Sequence, residues 1–302
     1  MLSFKPTFSL SSFIFIKRLF SSSFISALHL EHPEADIIAG GTDVLVQMRE
    51  GKRAGKSLLS IQGLDEIRGI TLEEDGTLRI GSLTTFSHIT NNPLIQEHIN
   101  VLGEAVDMVG GPQIRNAGTI GGNTCNGATS ADSTATLHAY EAIVELTGPN
   151  GVRRLPINEF YIWAGQVDLQ PGEIQTAILI PKESYENTKG HYIKYAMREA
   201  LDIATLGTSV NVRLSEDKKT VERVRIAFGV AGPTPLRAKA AEELGNGQPL
   251  SMELIEKVAA AVVTDLKCRD SWRASKAFRT HMAVECTKRA FIESVKLCGG
   301  EL

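Results

Sequence analysis

Cysteine is scarce in this chain of 302 residues, and its four thiols are scattered. Cys125, Cys268, Cys286 and Cys298 form no CxxC pair, and no nearby histidine completes a zinc pattern. The spacings that hold iron–sulfur clusters are absent as well. We therefore expect no metal site in this chain. Unpaired, scattered thiols are typical of a reducing compartment, which predicts a cytoplasmic protein.

Strong charge and long apolar runs are also missing. A net charge of −3 argues against a surface built for nucleic acid. The apolar run at residues 14–16 is too short to span a membrane before Lys17 and Arg18 interrupt it. We therefore expect neither nucleic acid nor a membrane among the partners. The GxGxxG pattern is absent too, so a Rossmann dinucleotide site is not supported.

Glycine, in contrast, is concentrated in two short runs. The longer run, from Gly110 to Asn123, holds five glycines and Pro112 in fourteen residues, which predicts irregular backbone rather than a helix or strand. Backbone amides without side chains in the way suit a phosphate, which wants several donors. The second run, from Ile37 to Asp43, is an apolar strand that enters a Gly-Gly turn. Two such turns could bracket a diphosphate, whereas the alternative is a pair of ordinary surface loops.

These runs and several further motifs carry a family resemblance. The motifs are Ala39-Gly40-Gly41-Thr42-Asp43, the run from Gly110 to Asn123, Asn126-Gly127-Ala128-Thr129-Ser130-Ala131-Asp132-Ser133, Lys194-Tyr195-Ala196-Met197-Arg198, Phe228-Gly229-Val230-Ala231-Gly232-Pro233-Thr234-Pro235 and Ser271-Trp272-Arg273-Ala274-Ser275. From about residue 35 to the C-terminus, the chain resembles the FAD-binding subunits of the molybdenum hydroxylases, and most closely those of bacterial xanthine dehydrogenases.

The resemblance implies an α+β fold. Two small subdomains of the vanillyl-alcohol-oxidase/PCMH type would clasp FAD, and a C-terminal α+β domain of the CO-dehydrogenase flavoprotein type would follow. We place the FAD-binding domain at residues 1–185 and the C-terminal domain at residues 190–302. The order of strands and helices agrees, because it lacks a regular βαβ rhythm. Within the first domain, apolar residues at helical spacing predict one helix over residues 93–109.

The resemblance also implies which residues contact the cofactor. The two glycine turns would hold the diphosphate through backbone amides, and Ile193 and Lys194 would approach the flavin from the second domain, where a lysine could stabilise reduced flavin. The predicted cofactor-binding residues are Ile37, Ile38, Ala39, Gly40, Gly41, Thr42, Asp43, Gly118, Thr119, Ile120, Gly121, Gly122, Asn123, Asp132, Ile174, Ile193 and Lys194.

Two acidic residues of this set need their own interpretation. Since a carboxylate repels a phosphate, Asp43 is expected to fix its turn by accepting backbone N–H bonds. Asp132 has two open interpretations, a cofactor contact or the N-cap of the following helix. Cys125 is expected to be a packed thiol without a base partner. Trp272 with Arg273 is either a buried anchor with a nearby cation or part of a subunit contact.

The function that the resemblance implies is electron transfer. The expected partners are a molybdenum-cofactor subunit and a two-iron two-sulfur subunit of a xanthine dehydrogenase, with FAD as cofactor and NAD+ as electron acceptor, in purine metabolism. No side chain of this chain is expected to be catalytic. Two alternatives stay open. One is the same subunit in carbon monoxide dehydrogenase or an aromatic hydroxylase, and the other is a flavin-free scaffold subunit.

Residues 1–34 depart from the family pattern. Serine and phenylalanine are dense there, and no acidic residue precedes Glu31. Three interpretations remain open: an unusual native helix, a targeting segment, or an error in this part of the sequence.

Overall fold

The computed structural model describes residues 21–302, which fold into three units, each built around a β-sheet. The predicted α+β class is confirmed, since helices and mostly antiparallel strands are interleaved without a repeating parallel unit. No helix in this part of the chain is long and apolar enough to cross a bilayer.

The first unit is small and carries the first glycine turn. Its elements are α1 (Ser22–Glu31), β1 (Asp36–Ile38), α2 (Val44–Arg49) and β2 (Leu58–Ser60). The two strands pair in parallel, with Ile37 opposite Leu59. Ile25 of α1 is buried in the core of this unit. A native helix is therefore present from Ser22 to Glu31. The other interpretations of residues 1–34, a targeting segment or a sequence error, concern mainly residues 1–20, which lie outside the described residues.

The second unit is built on a five-stranded antiparallel sheet in the order β3-β4-β9-β5-β6. Its strands are β3 (Ile70–Leu72), β4 (Leu78–Gly81), β5 (Ile143–Gly148), β6 (Gly151–Pro156), the hairpin strands β7 (Tyr161–Trp163) and β8 (Gln166–Val167), and β9 (Ile174–Ile180). Its helices are α3 (Phe86–Asn91), α4 (Pro93–His98), α5 (Asn100–Asp107), α6 (Pro112–Ala117), α7 (Ile120–Cys125), α8 (Asp132–Ala139) and α9 (Ile157–Phe160). The central strand β9 is buried along its whole length, which fixes the position of its neighbours.

The prediction of one helix over residues 93–109 is wrong, because the chain leaves the helical conformation at Ile99 and forms α4 and α5 instead. A single straight helix would bury one narrow stripe. The corner at Ile99 lets the adjacent pairs Val101–Leu102 and Ala105–Val106 enter the core together with Ile95. Tertiary burial therefore overrides the local periodicity.

The expectation that the longer glycine run lacks regular structure is also wrong, because the run contains α6 and the start of α7. Pro112 stands in the first turn of α6, where its missing N–H costs no hydrogen bond. The hydroxyl of Thr119 caps α7 by accepting from the amide of Gly122 at 3.1 Å. Local capping therefore outweighs the low helix propensity of Gly121 and Gly122.

The third unit is an antiparallel sheet with helices packed against it. After the short helix α10 (Lys182–Tyr185) come β10 (Lys189–Tyr195), β11 (Leu206–Leu214), β12 (Thr220–Gly229), β13 (Leu236–Arg237), α11 (Lys239–Gly245), β14 (Gln248–Pro249), α12 (Met252–Ala261) and α13 (Lys276–Leu297). The strand order is β10-β11-β12-β13, and β14 pairs with β12. Phe291 of α13 is buried against the sheet residues Val210 and Val212.

Helix α8 joins the second and third units. It packs against β11 and β12, and Glu141, which follows it, forms ion pairs with Arg225 and Arg237. Arg237 is also paired with the buried carboxylate of Glu242. These contacts hold the sheet of the third unit, and with it the end of β10, beside the glycine run of the second unit.

Candidate functional site

A cavity of about 630 Å³ lies where the three units meet. Its walls come from the turn after β1, from the stretch that contains α6 and α7, and from the loop after β10, which contributes Leu201, Asp202 and Ile203. A volume of this size is typical of a ligand site, and a position between domains is the usual place for one.

The turn after β1 forms the first wall. Of the residues predicted there, those that line the cavity are Ile37, Ala39, Gly40, Gly41, Thr42 and Asp43, whereas Ile38 lies outside the lining. A Cβ atom on Gly40 would stand 1.8 Å from the carbonyl oxygen of Ala117. Only glycine therefore allows this turn to pack so closely against the end of α6, which brings the two glycine runs together.

The start of α7 forms the second wall. Gly118, Thr119, Gly121, Gly122 and Asn123 line the cavity, whereas Ile120 is fully buried in the core of the second unit. A Cβ atom on Gly121 would stand 2.5 Å from the Cβ of Ser82, so this position also needs glycine for close approach. The side chain of Asn123 is fixed because its oxygen accepts from the Ser133 hydroxyl at 2.6 Å.

Asp43 does not fix its turn in the way that the sequence predicts. It precedes α2 with helical backbone angles, and its carboxylate makes no capping hydrogen bond to that helix. An N-cap side chain reaches back to the helix from an extended backbone, which Asp43 lacks. Its carboxylate instead belongs to the cavity wall, and burial raises its pKa.

Asp132 is not an N-cap either, because Ala131 is the N-cap and Asp132 is the first residue of α8. Its carboxylate lines the cavity and is held by two residues of β10. Lys194 Nζ donates to Oδ2 at 2.8 Å, and the Tyr192 hydroxyl donates to Oδ1 at 2.9 Å. Burial raises the pKa of Asp132, and the ammonium group and these hydrogen bonds oppose that rise.

The structure places Lys194 and Ile193 behind the cavity wall. The ammonium group of Lys194 is taken up by Asp132 and by the carbonyl of Met108 at 2.9 Å. Ile193 is half-buried and packs against the core of the third unit. Lys194 therefore reaches the cavity through Asp132. Ile174, the remaining predicted residue, lines the cavity and belongs to the core shared with the first unit.

Three residues of the wall that the sequence did not single out are Asp36, Ser82 and Gln175. Each carries a buried polar atom that has no hydrogen-bond partner among residues 21–302: Asp36 Oδ2, Ser82 Oγ and Gln175 Nε2. The other oxygen of Asp36 is paired with Arg53 at 2.7 Å. Unpaired buried polar atoms are costly, so these atoms suit a polar ligand. A dinucleotide fits this wall, since the glycine turns leave room for its diphosphate.

Loop residues that line the cavity from the third unit were also missed. Leu201 and Ile203 stand seven and nine residues after Lys194, where the last motif before them begins, and this position was the available signal. Asp202 holds this loop, because its carboxylate accepts from the backbone amides of Met197 and Arg198. No alternation or helical periodicity marks the segment.

The predictions for Cys125 and Trp272 have different outcomes. Cys125 packs against the core of the second unit, as expected, and it also lines the cavity. Burial raises its pKa to about 12. Trp272 is not a buried anchor, because 77% of it is exposed and Arg273 stacks on its ring at 4.2 Å. Within residues 21–302, no group of three or more His, Cys, Asp or Glu side chains is arranged to hold a metal ion.

Two protein families match consecutive parts of the chain. The family described as FAD binding domain in molybdopterin dehydrogenase matches residues 19–183. The family described as CO dehydrogenase flavoprotein C-terminal domain matches residues 191–294.

Individual relatives agree with these matches. The chain is 43% identical over 272 residues to the xanthine dehydrogenase FAD-binding subunit of Escherichia coli O157:H7, with 90% of this chain and 92% of that subunit covered. It is 34% identical over 223 residues to the nicotinate dehydrogenase FAD-subunit of Eubacterium barkeri, with 73% and 74% covered. Among solved structures, carbon monoxide dehydrogenase from Hydrogenophaga pseudoflava superimposes with a TM-score of 0.85 at 31% identity, covering 92% of this chain and 95% of that one.

The fold and these matches define an α+β flavoprotein with an FAD-binding domain and a C-terminal domain. The chain belongs to the family of FAD-binding subunits of molybdopterin dehydrogenases. It is accordingly a flavoprotein subunit of an oxidoreductase.

Proposed function

We propose that this chain is the FAD-binding electron-transfer subunit of a xanthine dehydrogenase complex in cytoplasmic purine metabolism. It would receive electrons from a two-iron two-sulfur subunit, which is itself reduced by a molybdenum-cofactor subunit, and deliver them to NAD+. We keep residues 1–185 and 190–302 as its two domains. The identity to the Escherichia coli relative, over nine-tenths of both chains, supports this assignment.

The observation that carries the proposal is the cavity between the two glycine runs. Gly40 and Gly121 stand where a side chain would clash with the neighbouring backbone or with Ser82, so both runs are built for close approach. A diphosphate held between the runs would direct the flavin toward the third unit and the adenosine toward the first.

Bound FAD would supply the chemistry, because a flavin exchanges one electron with iron–sulfur clusters and a hydride with a nicotinamide. This chain's residues would supply the environment. Val109, Leu201 and Ile203 give the flavin end an apolar lining. Asp132 and Lys194 form an ion pair there, so the lysine presents little unbalanced positive charge to the ring.

The proposal is tested with the complex assembled from this chain and its two partner subunits. Xanthine and NAD+ are supplied under anaerobic conditions, and NADH formation is followed by its absorbance. In parallel, a dye that takes electrons from the iron–sulfur subunit measures xanthine oxidation without the flavin. The wild-type complex is expected to reduce both acceptors, and a Gly40→Ala complex is expected to reduce only the dye.

Other results would correct specific parts of the proposal. Reduction of the dye but not of NAD+ by a flavin-loaded wild-type complex would rule out NAD+ as the acceptor. Oxidation of nicotinate or carbon monoxide in place of xanthine would show that the complex is another molybdenum hydroxylase.

A further inference from the structure

The side chain of Gln175 is buried in the cavity wall with one end of its amide unused. Only 4% of the residue is exposed. It stands on β9, the strand whose preceding residue, Ile174, also lines the cavity. Its Nε2 has no hydrogen-bond partner among the residues that the structure describes.

The other end of the amide is fixed. Gln175 Oε1 accepts from the Thr124 hydroxyl at 2.8 Å and from the Cys125 thiol at 3.0 Å. Both groups stand on α7, shortly after the second glycine pair, and they hold this end of the amide against that helix. The Nε2 end of the amide is left without a partner in a residue that lines the cavity.

Ser82 extends this polar patch. Its backbone amide donates to the carbonyl of Thr176 at 3.0 Å, which places it beside Gln175 on the neighbouring strand end. Its hydroxyl is buried without a partner as well. Two unused polar groups in residues of one wall favour a ligand with several nitrogen or oxygen acceptors.

The patch lies toward the end of the cavity that adjoins the first unit. Ile174 packs in the same core as Ile37 and Leu59, and Asp36, whose Oδ2 is also unpaired, stands on β1. The opposite end is marked by Asp132, which is bonded to β10 of the third unit. The glycine runs, where a Cβ on Gly122 would stand 4.0 Å from Ala39 Cβ, lie between the two ends.

We propose that Gln175 is the residue that recognises the adenosine half of the dinucleotide, with its Nε2 donating a hydrogen bond to an acceptor of that half and Ser82 adding a second polar contact. The site thereby distinguishes FAD from flavins that end at the first phosphate. This inference rests on the proposed function, since it takes FAD as the ligand.

The test uses the full chain stripped of flavin. FAD affinity is measured by the change in flavin fluorescence on titration, and ADP and FMN are measured as competitors of FAD. The variant is Gln175→Met, which keeps an unbranched side chain of similar length and removes the donor. Thr124 retains the carbonyls of Ile120 and Gly121 as acceptors, so the fold keeps its local hydrogen bonds.

The expected result is a similar loss of affinity for FAD and for ADP, the two ligands that contain adenosine. In Gln175→Met, the Kd for FAD and the inhibition constant for ADP rise by roughly 5- to 100-fold, the loss that follows when one partner of a buried hydrogen bond is removed. The inhibition constant for FMN does not change. Gln248→Met, an exposed position on β14, leaves all three values unchanged.

Thermal unfolding of the flavin-free variants checks that Gln175→Met is folded. If it is not, Gln175→Glu makes the same comparison, since it keeps the shape of the side chain and replaces the donor by an acceptor. Equal losses for FMN and ADP, an unchanged ADP constant, or failure of ADP to compete in the wild type would each overturn the inference and leave the proposed function standing. A wild-type chain that binds no FAD would sink the proposed function itself.

Discussion

Lys194 Nζ lies 2.8 Å from Asp132 Oδ2, and only 9% and 6% of the two side chains are exposed. The pair connects β10 of the third unit to the first turn of α8 in the second unit, at one end of the cavity. Tyr192 donates to the other oxygen of the same carboxylate. Because both oxygens are bonded from one strand, Asp132 acts as an attachment point between the units as well as a part of the cavity wall.

Replacing one member of this ion pair is expected to destabilise the fold more than replacing both members. Lys194→Met leaves the carboxylate of Asp132 buried without its cation, which should lower the free energy of unfolding by about 3–5 kcal/mol. In the double variant Asp132→Asn/Lys194→Met no buried charge is left unpaired, so most of that loss should be recovered. Urea unfolding of the two single variants and the double variant measures the coupling. Additive losses in the double variant would show that the two side chains do not act as a pair.

The contact between the glycine runs gives a second prediction. In Gly40→Ala, the new methyl group meets the carbonyl oxygen of Ala117, so the turn after β1 must move away from α6 and FAD binding should be lost. The matched control is Gly103→Ala. It stands inside α5 with its nearest neighbour at an ordinary 3.4 Å, and alanine favours a helix. Flavin content after purification measures both variants. Full flavin content in Gly40→Ala would contradict the assignment of the two runs to the cofactor.

The third prediction concerns pH and the buried ring of His138. Burial lowers the pKa of His138 to about 4 from its ordinary 6.5. As the pH falls, His138 is therefore protonated in the unfolded chain before it is protonated in the folded chain. The contribution of His138 to stability is fully present above pH 6.5 and is lost as the pH falls toward 4, in total about 3 kcal/mol.

The check is the free energy of unfolding at several pH values between 7.5 and 4. In His138→Leu the part of the pH dependence due to this ring should disappear, and the exposed control His88→Asn should follow the wild type. If His138→Leu keeps the same pH dependence as the wild type, the ring is not held neutral by burial.

The sequence was sufficient to predict the position of an element where its apolar pattern agrees with its burial. The strand at Ile37 was predicted at nearly its observed position. The sequence was not sufficient at Ile99, where packing breaks a helix that the periodicity favours, or at the start of α7, where one threonine hydroxyl stabilises a helix that contains two glycines.

The site likewise contains residues that the sequence could predict and residues that only the folded structure brings together. The glycine turns can be found from the sequence because close approach requires a residue without a side chain. The pairing of Asp132 with Lys194 joins positions 62 residues apart, and nothing local indicates it. Gln175 is an ordinary polar residue in an apolar strand until the contacts of Thr124 and Cys125 show which end of its amide is left unused.

The most direct test of the account is the visible absorption spectrum of the purified full chain, with the chromophore released and identified. The account predicts a flavin spectrum and close to one FAD per chain, either as purified or after added FAD is taken up. A colourless chain that fails to bind added FAD would contradict the assignment of the cavity between the glycine runs to this cofactor.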